Sequence, residues 1–200
     1  MKALFTRTLT GALLCAPLTL PAQTERQLGA HVHGHGTLQV VLDDPTLSIG
    51  LKLPGMDVVG FEHAPETEPQ KQAVVEALAQ LEDAYALFDL DEAAGCSLAE
   101  AESALIPVGM DEHDHDDEHG HDDEHGHDDE HGHDDEHEAT HTEFQAEYRY
   151  ACEALPALES ITLILFEQFP GLESVQAQAV SPDNQIARTL NPDDPILSGF

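Results

Sequence analysis

The residues with the most evident chemistry are the histidines. The chain has 14 of them in 200 residues, and ten lie between His113 and His141. Most belong to a six-residue unit, His-Asp-Asp-Glu-His-Gly, which starts at His115, His121 and His127; a fourth copy from His133 ends in Glu138. Neutral imidazole is a ligand for zinc, copper(II) or nickel. Within a unit the two imidazoles are four residues apart, as in His115 and His119; between units they are two apart, as in His119 and His121. A helical turn would bring the first kind of pair to one face, and an extended or bent segment the second. Overlapping ligand sets therefore run through His113, His115, His119, His121, His125, His127, His131, His133, His137 and His141. No single geometry is specified, which is the chemistry of a multi-ion, exchangeable store and not of a catalytic zinc with a preformed pocket. Sixteen of the 40 acidic residues fall between Asp111 and Glu138. They add oxygen ligands and a field that concentrates cations, and they favour protonated imidazole, so protons compete with metal. A solvated acidic linker would account for the carboxylates but not for ten histidines in register.

A second group is His31-Val32-His33-Gly34-His35. In an extended chain residues two apart share a face, so His31, His33 and His35 can converge. His63, in Phe61-Glu62-His63-Ala64-Pro65, is a candidate to complete a tetrahedral set. The chain has three methionines, including Met1, and no methionine cluster, which argues against a copper(I) carrier. Calcium would use the carboxylates and leave the histidines idle. Zinc leads, followed by nickel or copper(II). A zinc hydrolase built on His31, His33 and His35 would need a general base; Glu62 is the one candidate beside such a histidine outside the tract, and no nucleophile motif accompanies it.

These ligands need a frame. Asp111 to His141 has no basic residue and no large apolar one, so it cannot bury enough surface to offset its ordering entropy and is expected to be disordered. Around it, Gly36–Asp43 and Thr46–Leu53 predict a hairpin across Asp43-Asp44-Pro45, the second strand alternating Leu47, Ile49, Leu51, Leu53 with Thr46, Ser48, Gly50, Lys52. Val58–Phe61 suggests a short extended piece. Pro69–Asp89 predicts the main helix, with Val74, Leu78, Leu81, Tyr85 and Phe88 as its core stripe and Thr67-Glu68-Pro69 at its start. Ser103–Val108 predicts a short strand. Thr142–Cys152 predicts the clearest one, with Phe144, Ala146, Tyr148, Tyr150 and Cys152 on one face and Glu143, Gln145, Glu147 and Arg149 on the other. Ser160–Phe166 is a buried strand or part of a helix, which periodicity cannot separate. Ser174–Val180 and Gln185–Leu190 predict a second hairpin, and the proline-containing tail from Asn191 a surface segment. The expected architecture is α+β: an antiparallel sheet packed on one main helix, with a disordered His/Asp/Glu-rich insertion.

Residues 1–22 have the makeup of a cleavable signal peptide. Lys2 and Arg7 precede an apolar run, Leu9–Leu20, that is too short to span a bilayer. Cys15 follows Leu14, not the small residue that lipidation requires. About 178 residues remain as one domain, 23–200, with 111–141 as its insertion. The formal charge of −33 becomes about −35 once Lys2 and Arg7 are removed. That excludes nucleic acid and anionic membrane as natural partners and favours divalent cations. The mature chain keeps Cys96 and Cys152. An even count in an exported chain points to a disulfide, against free thiols or a thiolate metal pair. Such a bridge would clamp the borders of the insertion.

With these residues in view, the chain resembles the ZrgA family of zinc-regulated periplasmic proteins of Gram-negative bacteria. The resemblance rests on the exported N-terminus, on His31-Val32-His33-Gly34-His35-Gly36, and on Leu51-Lys52-Leu53-Pro54-Gly55-Met56-Asp57-Val58-Val59-Gly60-Phe61-Glu62-His63-Ala64-Pro65. The helix expected to end near Leu87-Phe88, the Cys96 and Cys152 pair and the insertion between the two cysteines complete it. It implies a periplasmic zinc-binding accessory to zinc uptake that hands zinc to an import component; the tract, the export signal and the charge add the expectation of a non-enzymatic protein that captures or buffers several zinc ions. A sponge or sensor for excess zinc, nickel or copper is the alternative.

Overall fold

A computed structural model describes residues 32–108 and 141–200. The leader expected at 1–22, His31, and the tract histidines from His113 to His137, with the disorder expected there, lie outside the described residues.

The first predicted hairpin forms as β1 (His35–Asp43) and β2 (Thr46–Pro54), in register from Thr37 opposite Lys52 to Asp43 opposite Thr46. Alternation does the work: Leu38, Val40, Leu42, Leu47, Ile49, Leu51 and Leu53 all face the core. Each such side chain contributes on the order of 1.5–3 kcal/mol by leaving water. Pro54 and Gly55 then open a short helix, α1 (Gly55–Val59), capped by Gly60 at φ +80°. The extended piece expected at Val58–Phe61 is thus helical through Val59. A single turn closed by an αL glycine is too short to show a 3.6-residue period.

The main helix, α2 (Glu68–Glu82), starts with a capping box. The Gln70 N–H donates to Thr67 Oγ1, and the Thr67 N–H donates to Gln70 Oε1 at 2.9 Å. It ends seven residues before the expected Asp89. The chain leaves the helix at Asp83, makes a 3-10 turn at Ala84–Ala86 and enters β3 (Phe88–Leu90). Leu87 and Phe88 stay buried through this change, so the apolar spacing continues where the helix does not. Tyr85, expected in the core stripe, is 62% exposed and accepts the Leu98 N–H through its hydroxyl.

β4 (Cys96–Val108) is far longer than the Ser103–Val108 expected, and it pairs with β5 (His141–Cys152) along its length. Its own alternation is weak because it is the edge strand; the partner supplies the register. On β5, Phe144, Ala146, Tyr148, Tyr150 and Cys152 are buried as expected. The Tyr148 hydroxyl donates to the Leu81 carbonyl at 2.6 Å and ties α2 to the sheet. The ambiguous apolar run proves to be both things: β6 (Ser160–Leu163), then the single-turn α3 (Leu165–Gln168). β7 (Ser174–Val180) and β8 (Gln185–Leu190) form the second hairpin.

The main sheet has six strands in the order β4-β5-β2-β1-β7-β8. It is mixed, not wholly antiparallel, because β1 and β7 run parallel with His35 opposite Ser174. Alternation reports which face a strand buries and carries nothing about the direction of its neighbour; the crossover through β6 and α3 decides that. A small antiparallel sheet, β3-β6-β9, completes the core. Its third strand, β9 (Ile196–Ser198), comes from the tail expected on the surface, and Leu197 is fully buried.

Cys96 and Cys152 form a disulfide and are opposite each other in register. They sit at the far end of β4 and β5 from Val108 and His141, the pair that borders the tract. Eleven residue steps separate the two ends of β5, on the order of 35 Å. The bridge therefore does not clamp the borders of the insertion, as expected from linear order; strand pairing does.

Candidate metal centre

Val32 to His35, which leads into β1, is a turn and not the extended segment expected. The His35 N–H donates to the Val32 carbonyl, and Gly34 sits at φ +80°. With His33 at negative φ, this is the pattern of a type II turn, which demands glycine at its third position. A Cβ on Gly34 would also meet Glu173 Cγ at 2.9 Å. The turn separates its histidines. The His33 ring faces Glu62, with Nε2 3.3 Å from Oε1, while His35 Nδ1 lies 2.6 Å from Ser174 Oγ on β7.

Glu62 is brought in by a close approach elsewhere. A Cβ on Gly55 would fall 2.7 Å from both the Phe61 carbonyl and Thr142 Oγ1. Only glycine lets the α1 segment lie this close to the start of β5. The result sets Glu62 beside His141, whose Nδ1 is 2.7 Å from Glu62 Oε2. The Glu62 side chain is 12% exposed, whereas His33 and His141 are about half exposed, at 55% and 54%. Although Oε1 lies within ion-pair distance of His33, it is buried, and among the described residues it makes no hydrogen bond.

Asp57 completes the setting. Its Oδ2 accepts the Gly34 N–H at 2.8 Å. Burial pushes its carboxyl above the usual carboxylate range; the Gly34 N–H and the His33 charge pull it back, Glu62 pushes it up, and His35 lowers it again.

His63 faces elsewhere. Its ring stacks on Phe61 with centroids 5.2 Å apart, Nδ1 lies 2.8 Å from the Ala64 carbonyl, and Nε2 lies 3.4 Å from Gln70 Nε2. Of the histidines singled out from sequence, the structure thus brings His33 and His141 to one carboxylate, sets His35 on the neighbouring strand, and turns His63 toward α2. Glu62 as a prospective ligand was not legible from spacing. His141, numbered with the tract, belongs structurally to the folded domain. Among the described residues no three histidine, cysteine or acidic side chains already converge as a formed cation site.

These features define an α+β domain that carries a histidine–carboxylate cluster at one end of its main sheet. The chain belongs to the ZrgA family of zinc uptake proteins, whose model matches residues 30–198. No curated protein matches it. Family membership gives the chain a role in zinc uptake and an association with zinc, as the motif resemblance implied. Among the described residues no helix is long and apolar enough to cross a membrane.

Proposed function

We propose that the protein is an exported, periplasmic, non-enzymatic zinc carrier in which the repeat tract gathers ions and His33, Glu62 and His141 hold one of them more tightly. The observation that carries this reading is the Glu62 carboxylate, sheltered between two half-exposed imidazoles, with one oxygen that takes no hydrogen bond among the described residues. A cation would satisfy that oxygen. Zinc–ligand distances of about 2.1 Å give a tetrahedral ligand-to-ligand edge of roughly 3.4 Å. The 3.3 Å between His33 Nε2 and Glu62 Oε1 is close to that edge. His141 lies nearer, at a hydrogen-bond distance, so its bond to Glu62 would open as the ion replaces the proton. His31, His35 and His63 remain candidate further ligands. The exposed imidazoles suit exchange with a store upstream and an import component downstream, and His141 is both the last tract histidine and a neighbour of Glu62.

Zinc titration by calorimetry of the wild type, Glu62→Gln and a deletion of 111–138 tests the reading. Glu62→Gln is expected to lose the tightest ion and keep the weaker set; the deletion is expected to do the reverse. A tightest site untouched by Glu62→Gln would refute it. Induction under zinc starvation is expected for an uptake role, whereas induction by zinc excess would favour a detoxification sponge.

A further inference from the structure

The turn that presents His33 is held from both sides. On one side the Gly34 carbonyl accepts the N–H groups of Glu173 and Ser174, at 2.8 and 2.9 Å. On the other the Gly34 N–H donates to Asp57 Oδ2. Asp57 itself is seated at the middle of α1, with its backbone against Gly171. The main-chain side of this clamp is part of the sheet's start and is indifferent to side-chain identity. Among the described residues Asp57 is the side chain that hydrogen-bonds to Gly34, and it does so at the peptide between the two histidines.

We infer that Asp57 is a positioning residue for the zinc site: by accepting the Gly34 N–H it sets the turn so that the His33 imidazole meets Glu62. The inference rests on the reading of His33 and Glu62 as zinc ligands. Asp57 acts through the backbone of the turn. What it supplies is a fixed starting geometry, so that the ion does not have to order residues 32–35 at its own expense. Histidine ligands are commonly held by an outer carboxylate bonded to the ring; here the carboxylate holds the peptide next to the ligand. Removing such an outer support typically costs 10- to 100-fold in metal affinity.

The test compares zinc affinity in Asp57→Ala, Asp57→Asn, Gly34→Ala and Glu62→Gln, using zinc alone with a competing chelator, alongside unfolding midpoints. Asp57→Ala is expected to weaken the tightest site about tenfold or more. Asp57→Asn, which keeps an acceptor oxygen but no charge, is expected to recover to within about threefold of wild type. Equal loss in both variants would mean that charge or direct ligation matters and would overturn the inference, as would unchanged affinity in Asp57→Ala. If Asp57→Ala does not fold, Gly34→Ala carries the test: it displaces the same turn without touching the carboxylate, and unchanged affinity there overturns the inference. Glu62→Gln separates the two levels. If it keeps the tightest ion, the site reading falls and the inference with it; if it loses that ion while Asp57→Ala binds normally, the inference alone falls.

Discussion

Gly55 and Thr142 approach so closely that a β-carbon on the glycine would lie 2.7 Å from the threonine Oγ1. This contact, between residues distant in sequence, is what puts Glu62 next to His141. Gly55→Ala is therefore expected to destabilise the fold by about 1–3 kcal/mol, the range for forcing atoms into a packed site. The same variant should weaken the tightest zinc site although it alters no ligand. A lowered urea midpoint together with a weaker first binding event would confirm the coupling.

The tract is an insertion between paired strands, with Val108 opposite His141 at its border. Deleting 111–138 should thus leave a cooperatively folding domain with fewer bound ions. Far-UV dichroism through a urea titration checks the first part and zinc stoichiometry the second. Loss of a cooperative transition would mean that the tract is structurally required.

The Cys96–Cys152 bridge closes a separation of 56 residues at the end of the hairpin away from Glu62. Loop closure of that length stabilises by about 4 kcal/mol in the chain-entropy account. A Cys96→Ser, Cys152→Ser double variant should lose stability of that order yet retain the tightest zinc site. Parallel denaturation and zinc titration separate these effects.

Tyr148 and Tyr150 are buried, and burial pushes both phenols above their ordinary pKa, with further repulsion from Tyr150 and Glu82 on Tyr148, and from Tyr85 on Tyr150. The folded state keeps these protons while the unfolded chain would release them near pH 10. Their contribution to stability is therefore fully present below about pH 10 and is lost as pH rises further toward the folded pKa values. Alkaline unfolding should be cooperative and coincide with a late step in tyrosinate absorbance. Tyr148→Phe should soften that dependence, at a cost of about 1 kcal/mol for the lost bond to the Leu81 carbonyl.

Local order determined much of this molecule. The alternation from Phe144 to Cys152 and from Leu47 to Leu53 set which faces are buried, because a strand's period of two is written directly in residue type. The start of α2 was legible in Thr67 and Pro69, since a cap is a local hydrogen-bonding arrangement. The repeat histidines and the Cys96 and Cys152 pair likewise stood out by composition. Other features depended on neighbours that sequence order does not name. Asp83 ends α2 while the apolar spacing runs on, because Phe88 has a strand partner in Leu163. β1 lies parallel to β7, and the tail adds β9, because a crossover and a third strand were available to them. The candidate metal centre shows the difference most directly. Histidine type and spacing pointed to metal ligands, but grouped His33 with His35 and His141 with the tract. A glycine turn divides the first pair, and the close passage of Gly55 at Thr142 draws Glu62 between His33 and His141. Steric permission at two glycines, far apart along the chain, decided which of these side chains meet.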